Sequence, residues 1–328
     1  MRIGKAAPMQ IGALVQNFGG FPETQRSTVA CVELAQHAEL VGLDSVWVTD
    51  HIVLPGHRRA RYPHNQTGTF PYTAEQDIHE PLVLLGALAW ATRRVEIGVA
   101  VLVIPYRHPL TTAKMLATAD QLSGGRVILG AGVGWLEDEF DALGLAPDVF
   151  RHRGSVTVDY LRAMQAAWTA ETTASYHGRY VAFEDVGTRP RPARQPHLPI
   201  WVGGKGEPAL RRAAELGDGY LAISSSPELL GDEVRRLHDL ARQYDRDPAE
   251  LTVALIDGIA ITDKPLKADR NPLHGTPEQI SEGLRAFAAA GLGHLVAGIR
   301  LAGEATLVAA KQALEIAGRD ILPALRSG

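Results

Sequence analysis

Short apolar runs rich in β-branched residues alternate along the chain with longer stretches whose apolar positions recur every three or four residues. The short runs, at residues 9–15, 45–48, 95–101, 126–131, 198–202, 220–223, 251–261 and 294–299, predict β-strands. The longer stretches, at residues 23–40, 81–92, 110–122, 151–169, 207–216, 227–244, from Thr276 onward and at 304–317, predict helices. Local punctuation agrees with these limits. Gly42 is placed to end the first helix, and Pro81 falls in a first turn, where its missing N–H costs nothing. Thr276 precedes Pro277 and stands three residues before Gln279, a capping-box pattern.

Eight strands, each followed by a helix or by a segment ending in one, predict a closed parallel (β/α)₈ barrel forming one domain over residues 1–328. Such a barrel carries its site at the C-terminal strand ends. Two segments break the rhythm. Residues 54–80 mix Pro, His, Arg, Gly and aromatics, and residues 176–197 hold Pro190, Pro192 and Pro196 among several arginines. Loops of this length usually serve as lids or binding loops, so both are expected above the barrel mouth.

Composition narrows the class without deciding it. Apolar residues make up 45% of the 328, enough for a large core, and a net charge of −4 gives no electrostatic reason to expect nucleic acid or an anionic membrane as partner. The single cysteine, Cys31, excludes an internal disulfide and reads as a small residue packed in a helix. Arg2 and Lys5 precede an apolar run too short for a signal sequence, and no stretch of about 18 apolar residues occurs. The expectation is a cytoplasmic protein.

The strand ends supply the candidate chemistry. Asp50 and His51 follow the second strand, pairing a carboxylate with an imidazole that can pass a proton near neutrality; the plainer reading is a turn cap and a loop histidine. Gly130, Ala131, Gly132, Val133, Gly134 and Trp135 follow the fourth. Gly134 comes one residue early for a dinucleotide fingerprint, which leaves either close approach of backbone to a planar ring or a tight turn. Gly203, Gly204, Lys205 and Gly206 open a predicted helix, an arrangement that suits an anion or serves as a plain βα turn. It is not a phosphate loop of the Walker type, because Glu207 stands where Ser or Thr would be needed. His57, His64 and His79, with Arg58, Arg59 and Arg61, lack metal-ligand spacing and read as a solvated, mobile lid, so no metal is expected. Trp47 and Trp201 read as core, and Trp90 as a packing or interface residue.

Several of these blocks resemble the bacterial luciferase-like oxidoreductases. Ala38, Glu39, Gly42, Leu43, Asp44, Ser45, Trp47, Asp50 and His51 match the family's opening signature. The stretch 85–98, then Pro105 to Pro109, Leu122 to Arg126 and Gly130 to Trp135 follow in its order and spacing, continued by Glu139 and Gly144. Pro199 to Gly204, Arg211 to Ala213 and Gly217 to Gly219 resemble its second block.

The resemblance implies a (β/α)₈ barrel using coenzyme F420 (a deazaflavin) or FMN, and the 54–80 insertion is similar to a branch assigned to the deazaflavin. It implies a cis peptide at Ala100–Val101 whose bulge supports the coenzyme ring. It gives Asp50 a contact with the ring's polar edge and His51 the proton. Gly132, Val133, Gly134 and Trp135 would line the ring or its chain, and Gly203, Gly204 and Lys205 would hold the phosphate. Trp135 departs from the family's sugar-phosphate dehydrogenases, which carry a glutamate there; this argues for an apolar, aromatic or enone-like small-molecule substrate. The expected reaction is hydride transfer. The alternatives are an FMN-dependent two-component monooxygenase fed by a separate reductase and a coenzyme-binding barrel without turnover. A homodimer through the helices after the second and third strands is also implied, with residues 87–90 suited to that face.

Overall fold

The computed structural model describes residues 8–21, 27–63, 67–224 and 226–326. Arg2, Lys5, His64 and the first turn of the helix expected at 23–40 lie outside the described residues.

In chain order the elements are β1 (Gln10–Leu14), α1 (Ser27–Leu40), β2 (Ser45–Val48), α2 (Pro81–Ala91), β3 (Glu96–Val103), α3 (Pro109–Ser123), β4 (Val127–Gly132), α4 (Glu137–Ala142), α5 (Pro147–Arg151) and α6 (Arg153–Thr169). They continue with β5 (Thr173–His177), β6 (Ala182–Gly187), β7 (Ile200–Gly203), α7 (Glu207–Leu216), β8 (Gly219–Ala222), α8 (Pro227–Gln243), β9 (Thr252–Ile261) and β10 (His274–Gly275). The last are α9 (Pro277–Ala289), β11 (His294–Leu301), α10 (Leu307–Ile316) and α11 (Leu322–Arg326).

Eight of these strands close on themselves in the order β1, β2, β3, β4, β7, β8, β9, β11, every pairing parallel. These are the eight expected from the periodicity, and the closed parallel barrel with helices between strands is a (β/α)₈ barrel. The predicted caps form as well. Gly42 adopts φ 87° after α1, and Thr276 and Gln279 make the capping box of α9.

Alternation along the strands divides the apolar residues into two cores. The outer faces pack against the helices, and Cys31, fully buried in α1, belongs there; burial pushes its thiol up to about 12. The lumen holds Trp47, Ile128, Trp201, Leu221, Ala254 and Val296, with the two indoles stacked at 5.2 Å. Gly98 makes that possible, because a Cβ there would lie 2.3 Å from the Trp47 ring. A polar chain crosses the lumen floor. Trp47 Nε1 donates to Ser45 Oγ (2.7 Å), Ser45 Oγ lies 2.7 Å from His294 Nε2, and His294 Nδ1 lies 3.0 Å from Gln10 Oε1. Among the described residues no helix is long and apolar enough to cross a membrane.

Three features depart from the sequence reading. The helix expected at 151–169 forms as α6, but an additional short helix, α5, precedes it and meets it at His152. The segment 176–197 is neither irregular throughout nor above the mouth. It continues an antiparallel hairpin of β5 and β6, then runs along α3 and α6, where Lys114 and Gln121 donate to carbonyls of Thr188 and Arg191, and Thr188 and Arg191 donate to those of Ala167 and Trp168. Farther along, Arg194 N donates to Asp120 Oδ2, and Arg194 pairs with Glu96 at the start of β3. The reason is topological: the segment follows α6, which has already returned the chain to the barrel's lower end, and leads into the start of β7. The segment 54–80 places Phe70 against His51 and Tyr62 against Trp135. It is tied down rather than freely solvated, with Arg59 pairing with Asp138 and Asp141, and Ser27 Oγ 2.7 Å from His79 Nε2.

Candidate active site

β2 ends at Val48 and delivers Asp50 and His51 to the mouth, where their roles diverge. Asp50 is fully covered. Its Oδ2 accepts from Val103 N and Arg107 Nη1, both at 2.8 Å, and its Oδ1 accepts from Arg107 Nη2 at 2.8 Å. Burial pushes its carboxyl above the ordinary value, against the pull of the Arg107 guanidinium. Arg107 is held from its other side by Glu80 at 2.7 Å, the residue that caps α2. The carboxylate that the resemblance sets against a coenzyme ring is thus held by a bidentate guanidinium and a backbone N–H, with two bonds to Oδ2 and one to Oδ1.

His51 is placed differently. Its Nδ1 lies 2.5 Å from Glu139 Oε2, and Glu139, on α4, has a fully buried side chain. Glu139 Oε2 also accepts from Tyr106 Oη (2.8 Å), while Oε1 accepts from Ile52 N (2.7 Å) and Val53 N (3.1 Å). With Glu139 surrounded by donors, the Nδ1 of His51 carries its hydrogen toward the carboxylate and Nε2 is left for other chemistry. Burial and the neighbouring Glu139 push the Tyr106 hydroxyl far up, so it remains a donor.

Aromatic rings wall the imidazole. Phe18, Phe70 and Trp135 stand 5.6, 5.1 and 6.1 Å from it, and Tyr62 packs on Trp135 at 5.2 Å. Phe70 and Tyr62 come from the 54–80 insertion, which roofs His51.

The peptide Ala100–Val101 is cis, as the resemblance implied, and the pairing of β3 with β4 shifts register between Val99 and Leu102. The half-buried Val101 side chain accounts for two of the suspected glycines. A Cβ on Gly132 would lie 2.3 Å from one Val101 methyl, and a Cβ on Gly203 would lie 2.5 Å from the other. Val133, Gly134 and Trp135 continue half-buried along the rim, Gly134 at φ 80°. Across the mouth, Gly258 of β9 and Gly298 of β11 are register partners, and nothing lies within 4 Å of where a Gly298 Cβ would be. The mouth thus has a small apolar ledge on one wall and bare backbone beside open space on the other.

At the start of α7, Gly204 at φ 138° and Gly206 at φ 72° turn the chain, and Tyr220 Oη donates to Gly204 O at 3.0 Å. Lys205 is exposed, and Glu207 is neutralised by Arg211 and Arg236. Nearby on α7, Arg212 keeps a buried Nε that has no hydrogen-bond partner among the described residues. Glycines, a helix N-terminus and an exposed cation suit the anionic tail of a flavin-type coenzyme, and the Val101 ledge suits its flat ring.

Sequence reasoning brought Asp50, His51, Val101, Gly132 to Trp135 and Gly203 to one mouth. The cage residues Phe18, Tyr62 and Phe70 carry no such signal, and Tyr106 and Glu139 stand out only as members of motifs. No helix is expected from the periodicity at α4; the sign that Glu139 turns inward is its place between Leu136 and Phe140, both buried.

The sequence matches the profile of the luciferase-like monooxygenase family over residues 9–271. An uncharacterised protein of Mycobacterium tuberculosis is 34% identical over 223 residues, 67% of this chain and 77% of that protein. An F420-dependent glucose-6-phosphate dehydrogenase of Amycolatopsis mediterranei is 32% identical over 228 residues, 69% of this chain and 62% of that enzyme. Among solved structures, an F420-dependent secondary alcohol dehydrogenase in complex with an F420–acetone adduct superposes with a TM-score of 0.78 at 20% identity, covering 98% of this chain and 100% of that one. The oxygenating constituent of the 3,6-diketocamphane monooxygenase of Pseudomonas putida, in complex with FMN, superposes at 0.73 with 17% identity, covering 97% and 99%. At such identities the structures speak to fold, and the profile and the mycobacterial relative to kinship: this chain belongs to the luciferase-like monooxygenase family.

Proposed function

We propose that the protein is an oxidoreductase that moves a hydride between the deazaflavin coenzyme F420 and an organic small molecule. The observation that carries the reading is the His51–Glu139 pair at the mouth: an imidazole fixed through Nδ1 by a buried carboxylate, which leaves Nε2 for proton transfer. When bound, the coenzyme supplies the hydride chemistry. The chain's own residues do the rest. Glu139 orients His51, whose Nε2 gives or takes the proton that accompanies hydride movement. Val101 supports the ring face, Val133, Gly134 and Trp135 border it, and Gly203, Gly204 and Lys205 receive the phosphate end. Phe18, Tyr62 and Phe70 exclude water around the imidazole. Asp50 acts through Arg107 and the end of β3 as a positioning residue.

FMN is the second reading, favoured by the FMN complex among the structural neighbours. It makes the protein the oxygenating half of a two-component monooxygenase with a separate reductase. A binding barrel without turnover has no use for the oriented His51–Glu139 pair. Equilibrium titration with coenzyme F420 and with FMN tests the choice: the proposal expects tighter F420 binding, and it fails if only FMN binds.

We infer a homodimer. On α2, Val83 is 67% and Trp90 70% exposed, while Leu88 and Ala89 of the expected 87–90 face turn into the core. A second copy of the chain covers the outward pair. The reaction is placed in the cytoplasm, consistent with a lone buried thiol.

A further inference from the structure

Arg58 sits in the insertion that roofs His51, and its guanidinium is held in one orientation. Nη2 donates to Tyr72 O at 2.8 Å, and Cζ stands 5.5 Å from the centre of the Phe70 ring. Phe70 in turn stands 5.1 Å from the His51 imidazole and 5.5 Å from Trp135. One phenyl ring therefore separates the guanidinium from the candidate proton donor. Nη1 is the anomaly: it is covered from solvent and, among the described residues, has no hydrogen-bond partner.

A covered, unpaired donor on a permanently charged group is costly, because the desolvated N–H gives up its water and receives nothing in return. Neither of these two contacts supplies a second acceptor: the Tyr72 carbonyl takes Nη2, and the Phe70 face offers only its π-electrons. Because the guanidinium is planar, fixing Nη2 also fixes the direction in which Nη1 donates. The arrangement lacks one component, an anionic oxygen arriving with a molecule flat enough to lie among the aromatic rings. A carboxylate fits best, since it matches the guanidinium in charge and accepts along the direction already set.

We propose that Arg58 is a specificity-determining residue and that the substrate is a flat conjugated or aromatic acid, its carboxylate taken by Arg58 Nη1 and its unsaturated body by Phe18, Phe70 and Trp135 beside His51. This deepens the functional reading above by naming the substrate class of the same site, and it rests on that reading for the reaction. It rests on Arg58 alone for recognition.

The test is calorimetric titration of the protein, with and without coenzyme F420, using trans-cinnamate and its neutral analogue methyl trans-cinnamate at pH 7. The wild-type protein is expected to bind the acid at least about tenfold tighter than the ester. Arg58→Gln is expected to erase that preference while leaving the ester's affinity and the coenzyme's affinity unchanged, and Arg58→Lys to restore part of it. Thermal melting of each variant checks that it folds. A wild-type protein that binds neither probe or does not prefer the acid overturns the proposal, as does an Arg58→Gln protein that keeps the preference. Failure of coenzyme F420 to bind the wild-type protein would instead overturn the functional reading, and the acid–ester comparison without coenzyme would still report on Arg58.

Discussion

The Nδ1 atom of His51 and the Oε2 atom of Glu139, on residues 88 positions apart in the chain, lie 2.5 Å from each other. Glu139 also takes three other donors, so it is a fixed acceptor and the imidazole has one defined tautomer. Glu139→Gln keeps the shape and reverses part of the pattern. Its amide oxygen can still accept from Ile52 N and Val53 N, but its NH₂ then faces His51 and moves the ring hydrogen to Nε2. Turnover is expected to fall by roughly 10²- to 10⁴-fold with coenzyme affinity little changed. Steady-state kinetics beside a coenzyme titration would check this, and undiminished turnover would remove Glu139 from the proposed mechanism.

Asp50 and Arg107 make the other buried acid–base contact, with a different consequence. Replacing Asp50 with Asn leaves a guanidinium only 11% exposed with a neutral partner in place of its bidentate carboxylate, while Glu80 still holds the far side. Loss of one member of such a pair costs about 3–5 kcal/mol, and the retained Glu80 contact places this variant at the lower end. Urea unfolding of Asp50→Asn should show that loss. A stability within experimental error of the wild type would mean that the pair contributes nothing net.

The glycines at 132 and 203 are tied to one side chain. Introducing a Cβ at either brings it within 2.5 Å of a Val101 methyl, so Gly132→Ala and Gly203→Ala should each destabilise by about 1–3 kcal/mol through overpacking. Shortening Val101 to Ala removes the obstructing methyls. A double-mutant cycle should therefore show the Gly132→Ala penalty shrinking in the Val101→Ala background. Strict additivity would show that Gly132 is required for some other reason.

What the sequence could and could not convey follows from where each interaction is encoded. The eight barrel strands were legible because burial on both faces leaves continuous apolar runs, and parallel connections require the intervening helices. Asp50, His51 and the glycine turns were legible because strand ends in this architecture converge whatever the side chains. The partner of His51 was not, since Glu139 reaches it across 88 residues and no local pattern sets it apart from the neighbouring acids Glu137 and Asp138. The place of 176–197 was misread for a related reason: Pro and Arg content signals irregular chain but not which end of the barrel it occupies. The use of Gly132 and Gly203 to accommodate Val101 depends on a three-strand juxtaposition that no local spacing records.

The exposed face of α2 gives a prediction about assembly. Val83 and Trp90 lie seven residues apart, two turns along one side of the helix, and both are more than two-thirds exposed. Apolar side chains of this size on one face are suited to burial by a second copy. Wild-type protein should sediment as a dimer, and Trp90→Glu combined with Val83→Glu as a monomer with an unchanged melting temperature at high dilution. A wild-type protein that is monomeric at micromolar concentration would refute the inferred interface.

His294 gives the pH dependence its clearest test. Burial in the lumen floor holds its imidazole down at about 3 from an ordinary 6.5, and its neighbours Ser45, Gln10, Trp47 and Trp201 carry no charge that would offset this. Below pH 6.5 the unfolded chain takes up a proton that the folded chain refuses until pH nears 3. Stability therefore rises with pH across that window and is lost on acidification, by about 1.4 kcal/mol per pH unit from this one group. His294→Gln has no such proton to refuse. Its absolute stability will be lower because the bonds to Ser45 and Gln10 are altered, so the informative quantity is the slope. Urea unfolding free energies between pH 7 and pH 4.5 should fall more steeply for the wild type than for the variant, the difference approaching one proton below pH 5.5. Parallel slopes would mean that His294 is charged in the folded barrel, which its apolar surroundings and the Ser45 contact at Nε2 argue against.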